Sequence, residues 1–221
     1  MTTNRAERRR RVLEAALSHV PFDGWTEAVL RRAMTDAGLD AGLARRLFPR
    51  GVRDLVDFFA QEADRRMAEA LAGRGVAALK IRERIAAAVR TRLEQAGRDR
   101  EAVRRAVTFQ ANPRTGLDGA RGLWRTADAM WRAAGDTATD VNWYTKRALL
   151  AGVYGSTLLY WLGDDSDGHE ETWAFLDRRI ADVMRIEKAK GRLSGWRPPG
   201  PSPLRLLACL RYGRSGESRV T

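Results

Sequence analysis

Two stretches near the N-terminus decide the fold: ERRRRVLEAALSHVPFDGW, Glu7 to Trp25, and AGLDAGLARRLF, Ala37 to Phe48. In the first, Val12, Leu13, Ala16, Leu17 and Val20 recur at the three- and four-residue spacing of one helix face. The spacing predicts a helix over 4–20, broken by Pro21 to Gly24. Thr26 then caps a second helix, with Val29, Leu30, Ala33 and Met34 inward. Ala37-Gly38 stops that helix, and Asp40 caps a short third one ending near Phe48. Two helices, a tight turn, a short helix and a long connecting helix make a helix-turn-helix layout.

Downstream the same period continues. A long helix follows the Pro49-Arg50-Gly51 turn to about Met67, and after a Gly-rich joint at 73–75 another reaches about Gln95. Further helices are predicted over 99–111, 117–134, 142–162 and 169–189, the last entered from the acidic loop DDSDGHEE, Asp164 to Glu171. Gly191 to Pro203 carries four prolines and is no regular helix. Ala, Leu, Arg and Glu dominate and β-branched residues are sparse, so the fold class is all-α. The boundaries read from the sequence are 1–65 for the helix-turn-helix-like unit, 66–190 for a helical body, and 191–221 for a flexible arm ending in a hydrophobic and basic segment.

The net charge of +12 over 221 residues comes mainly from arginine, which attracts the phosphates of nucleic acid or of anionic lipid. Arg5 and Arg8 to Arg11 form a cationic cluster that reads either as a solvated helix end or as a phosphate contact. A single cysteine, Cys209, excludes an internal disulfide. The longest apolar run, Ala148–Gly163, falls short of the roughly 20 residues of a spanning helix. Neither His19 nor His169 has a partner at metal-ligand spacing, and no phosphate loop or nucleophile elbow is present. The chain therefore reads as a non-enzyme, with no catalytic residue, no metal and no cofactor.

In DVNWYTKRALLAGVYG, Asp140 to Gly155, a Trp, a Tyr and two cations open the most apolar helix of the chain. Helical spacing puts Trp143, Arg147, Leu150 and Tyr154 on one face and Ala148, Ala151, Gly152 and Gly155 on an adjacent one. Small side chains admit another helix or a slender hydrocarbon, while an aromatic mouth suits a partner or a membrane interface. At the other end, PLRLLACLRYGR, Pro203 to Arg214, is hydrophobic and cationic but only weakly amphipathic.

The first 65 residues resemble the N-terminal domain of TetR-class regulators in layout. The positions that contact DNA in that class hold Asp40, Leu43, Arg45 and Gly51 here, and an acidic cap and an apolar Leu43 would face the DNA backbone. A second resemblance is more specific. Over DVNWYTKRALLAGVYGSTLLYW, the upstream ADAMWRAAGD, the downstream ETWAFLDRRIADVMR and the early F-P-x-G-x-x-D-L, the chain resembles the accessory lipid-binding family of ubiquinone biosynthesis, ninth of the numbered coenzyme Q proteins.

That resemblance implies a TetR-like fold that no longer regulates transcription. It implies binding of an isoprenoid lipid or ubiquinone precursor, with Leu150, Ala151, Tyr154, Gly155 and Leu158 along the slot. It also implies docking to the demethoxyubiquinone hydroxylase, a di-iron enzyme, through Met130, Asp140, Trp143 and Tyr144. Membrane-surface contact falls to Leu204, Leu207, Leu210 and Arg211, a homodimer is expected, and no specific nucleic acid is. An N-terminus without a transit-type leader reads as a bacterial cytoplasmic protein at the inner membrane, or, in an organellar form, one on the matrix side of the mitochondrial inner membrane. The alternatives are a TetR-type ligand-responsive DNA-binding regulator and an adaptor that carries no lipid.

Overall fold

A computed structural model describes residues 2–136 and 141–193, all helical or turn. Asp140, Leu204, Leu207, Leu210 and Arg211 lie outside the described residues. The chain divides into two compact units, Met1–Ala181 and Asp182–Thr221. The helices are α1 (Thr2–Asp23), α2 (Glu27–Asp36), α3 (Ala44–Leu47), α4 (Val52–Gly73), α5 (Ile81–Ala96), α6 (Arg100–Ala111), α7 (Gly116–Ala133), α8 (Val141–Gly163) and α9 (Glu170–Leu193).

α1 does not break at Pro21, as the sequence reading expected; it runs on to Asp23. A proline in the last turn costs only one terminal hydrogen bond, and the stop is Gly24, at φ 69°, whose N–H closes on the Val20 carbonyl. Val12, Leu13, Ala16 and Val20 are buried against α2, whose Val29, Leu30, Ala33 and Met34 are buried in turn. The Thr26 hydroxyl accepts from Val29 N–H at 3.2 Å, the expected cap. Leu39 N–H returns to the Met34 carbonyl and Gly38 sits at φ 64°, a Schellman stop.

The recognition element is short. Residues 41–43 form a 3-10 turn and α3 is a single α turn whose Leu47 is buried. Gly51 explains the F-P-x-G pattern: a Cβ there would overlap the Glu27 carboxylate, which accepts Val52 N–H at 2.8 Å and so caps α4. Trp25, 5% exposed, donates from Nε1 to the Ala102 carbonyl and packs on Phe59, joining the helix-turn-helix to α6 and α4.

Around α4 the body buries Leu55, Met67 and Leu71, Val89 and Leu93 of α5, Met130 of α7 and Trp161 of α8. At roughly 1.5–3 kcal/mol for each large apolar side chain, this burial is the main stabilising term. A polar centre crosses it. Arg92 Nε donates to Asp64 at 3.1 Å, and the Thr126 hydroxyl lies 3.0 Å from both Asp64 oxygens. Burial pushes the Asp64 carboxyl up, against the pull of Arg92.

Candidate functional site

α7 ends on a Schellman turn: Asp136 N–H returns to the Trp131 carbonyl, and Gly135 sits at φ 86°. This turn places Asp136 opposite the first turns of α8. Arg147 fills the space between, with its side chain 2% exposed. Its Nε donates to Asp128 at 2.6 Å and its Nη1 to Asp136 at 3.3 Å, and the guanidinium lies 4.0 Å over the Trp143 ring. Lys146 Nζ donates to Asp136 at 2.9 Å, and Trp131 Nε1 donates to the Lys146 carbonyl at 3.0 Å.

The cationic mouth expected from the sequence is therefore only half right. Arg147 is an interior strut, because two carboxylates of α7 and its end turn neutralise it and satisfy its donors. Lys146 is half-buried beside them. The aromatic part does reach the surface. Trp143 and Tyr144 meet edge-to-face at 4.7 Å, and Trp124 of α7 lies 5.8 Å from Trp143 and 6.3 Å from Tyr144. Tyr144 is 65% exposed, while Trp143 and Trp124 are half-buried. The result is an aromatic patch with a free phenol edge on a rigid ionic base.

Of the residues expected to dock a partner, Trp143 and Tyr144 come together. Met130 is fully buried, an apolar side chain turned into the core, so it does not face a partner. Sequence reading missed Trp124, Asp128 and Asp136. Their signal was present: residues 124, 128 and 131 share one face of α7 at i, i+4, i+7.

On α8, Leu150 and Tyr154 turn inward and are buried, with burial pushing the Tyr154 phenol up. Ala151, Gly155 and Leu158 are half-buried. A Cβ on Gly155 would stand 3.4 Å from Leu123 Cδ2, in ordinary van der Waals contact with α7, whereas Gly152 faces open space. Three surface clefts, at α1–α4–α5, at α4–α6 and at α4–α7, are lined by charged residues and none by these five.

The patch falls inside a region that the COQ9 family model matches, residues 117–187. Over these residues the chain is similar to the COQ9 family. Across 183 residues the chain is 34% identical to the mitochondrial ubiquinone biosynthesis protein COQ9 of Rattus norvegicus, covering 80% of this chain and 58% of that protein. The Homo sapiens COQ9 is 32% identical, with 80% and 57% covered, and the Drosophila melanogaster COQ9 is 28% identical over 191 residues. The chain thus spans less than two thirds of the length of the relatives it matches. These relatives carry mitochondrial names, and they do not support the bacterial cytoplasm read from the N-terminus.

The fold is TetR-like. The crystal structure of a TetR transcriptional regulator from Nitrosomonas europaea superposes with a TM-score of 0.63 at 21% identity, covering 78% of this chain and 95% of the regulator. At that identity the likeness speaks for the fold alone.

Proposed function

We propose that this chain is a non-catalytic accessory protein of ubiquinone biosynthesis, one that binds an isoprenoid ubiquinone precursor and presents it to the demethoxyubiquinone hydroxylase docked on the aromatic patch. The observation that carries the reading is the exposed Tyr144, held with Trp143 and Trp124 over a buried ionic base, inside the COQ9-matched region. A polyprenyl tail gains roughly 0.8 kcal/mol for each CH₂ removed from water, so a carrier must offer it an apolar slot. Leu150, Ala151, Tyr154, Gly155 and Leu158 are proposed to line that slot, with α7 and α8 parting around Gly155 to admit it.

The same reading puts the protein peripherally at the inner membrane, on the matrix side in mitochondria, as a homodimer. No described helix is long and apolar enough to cross a bilayer. A DNA-binding regulator draws less support, because α3 is one turn long and begins beside Asp40 and the apolar Leu43.

The test couples mass spectrometry of lipids extracted from the protein purified from its host with hydroxylase binding by Tyr144→Ala and Trp124→Ala variants. A prenylated quinone precursor enriched over bulk membrane lipid, and a loss of hydroxylase affinity at unchanged thermal stability, support the proposal. Extraction of unenriched phospholipid alone overturns lipid presentation. Undiminished hydroxylase binding by both variants overturns the docking patch.

A further inference from the structure

Four arginines converge where α4 and α7 pack together. Arg50 donates to Asp54 at 2.7 Å and to Asp118 at 3.0 Å. Arg53 and Arg121 each lie 3.8 Å from the same Asp118 carboxylate, and Arg125 pairs with Asp57 at 2.8 Å. The carboxylates lie underneath, 14–23% exposed, while the four guanidinium side chains are 35–76% exposed. Positive charge is therefore layered outward over negative charge.

A guanidinium has five N–H donors, and three carboxylates shared among four of them leave donors over. Arg121 in particular is 76% exposed and meets Asp118 only at 3.8 Å. Arg114 is exposed beside Arg53, which donates to its carbonyl. Among these cations stands Leu117, 74% exposed, at the start of α7 and next to Asp118.

We infer that this arginine cluster is a docking surface for an anionic bilayer, binding headgroup phosphates while Leu117 enters the headgroup–acyl boundary. Guanidiniums match phosphate oxygens in pairs. An apolar side chain held out among them suits a lipid surface better than a nucleic-acid backbone, which presents phosphate and sugar at that position. Leu117 lies on α7 seven residues before Trp124, about 10 Å along the helix axis. A bilayer gripped here holds the aromatic patch close to the membrane. The inference rests on the membrane-surface part of the proposal above and not on lipid carriage.

The experiment is co-sedimentation of the full chain with vesicles of phosphatidylcholine alone and of phosphatidylcholine with phosphatidylglycerol. It compares wild type with an Arg114→Ser, Leu117→Ser, Arg121→Ser variant, all three being exposed positions. Expected are salt-dependent binding to the anionic vesicles and a loss in the variant of more than about 25-fold, about fivefold for each arginine before the loss of Leu117 is added, at unchanged melting temperature. Equal affinity of the variant, equal binding to neutral vesicles, or no vesicle binding by wild type overturns the inference. So does a preference for duplex DNA that the variant loses, or displacement of the vesicles by millimolar inorganic phosphate at constant ionic strength. Lipid extraction from the same preparation keeps the two readings apart: protein that carries a quinone precursor yet ignores vesicles sinks this inference alone, and empty protein that still binds through the cluster leaves it standing.

Discussion

Replacing Arg147 by Met should be among the most damaging single changes at the α7–α8 junction, and its cost follows from the geometry. The methionine keeps most of the apolar stem, so the loss is chiefly electrostatic. Breaking a buried pair on one side costs about 3–5 kcal/mol, because the remaining charge is stranded. Here neither carboxylate is left wholly alone: Arg132 stays on Asp128 at 2.9 Å, and Lys146 stays on Asp136 at 2.9 Å. That places the cost at the lower end, about 3 kcal/mol, with up to about 1 kcal/mol more for the cation over Trp143. For a chain of this size it corresponds to a fall in melting temperature of roughly 6–12 °C. Guanidinium unfolding followed by far-UV circular dichroism measures it, and Arg132→Met is the internal control. Arg132 shares the Asp128 carboxylate but its side chain is 72% exposed, so its loss should cost no more than about 0.5 kcal/mol. Equal costs for the two variants, or a loss below about 1 kcal/mol for Arg147→Met, would refute the view that a buried ionic strut fixes the aromatic patch.

Tyr144→Ala should leave the unfolding midpoint within about 0.5 kcal/mol of wild type, because the ring is largely solvated, and a larger drop would make it a packing residue and not a docking one. Gly152→Ala should stabilise the chain by about 0.5–1 kcal/mol, since a mid-helix glycine gains a Cβ that meets nothing within 4 Å; destabilisation would show that the face is covered in solution. Asp164 predicts a pH effect. Burial would raise its carboxyl, but hydrogen bonds from Ser166 and Thr172 outweigh that and hold it well below the usual carboxylate range. A group depressed in the fold contributes fully above its unfolded pKa of about 4 and loses that contribution as pH falls below it. Wild type should therefore lose more stability than Asp164→Asn between about pH 5 and pH 2, and parallel acid limbs for the two would contradict the capping role.

Most of the helix pattern was legible because each segment carries its own period and its own stop. Val12, Leu13, Ala16 and Val20 need only local spacing to be read, as do the Thr26 cap and the Gly38 turn. The misreadings came from contacts between segments. Pro21 is a breaker by rule, but in a final turn it removes little, and only the chain after it shows that Gly24 is the stop. Arg147 reads as a surface cation beside an aromatic pair until Asp128 and Asp136 arrive from α7, 19 and 11 residues earlier. The family resemblance implies Met130 in the docking motif, yet consecutive helical positions face apart by about 100°, and Met130 takes the inward one. Trp124 was legible in spacing but not in role, since no local rule says that it will meet Trp143 across two helices.

The arginines show why net charge alone misleads about partners. Near the helix-turn-helix much of the positive charge is spent inward. Arg5 donates to the Arg46 carbonyl, Arg11 to the Ala37 carbonyl at 2.6 Å and Arg10 to the buried Glu62, while Arg9 lies 4.1 Å over the Phe58 ring. These side chains hold α1 onto α2, α3 and α4, and a guanidinium bound in that way has fewer donors left for a DNA phosphate. On α4 and α7 the guanidiniums also lie above their carboxylates, but there three of them share the one Asp118 carboxylate. The same residue type thus stabilises the fold in one place and presents charge in another, and what decides between the two is how many cations share one acceptor. If that is correct, neutralising Arg5 and Arg11 should lower stability while leaving vesicle affinity nearly unchanged. Neutralising Arg114 and Arg121 should do the opposite, and a chain in which both pairs acted alike would show that crowding about one acceptor does not matter.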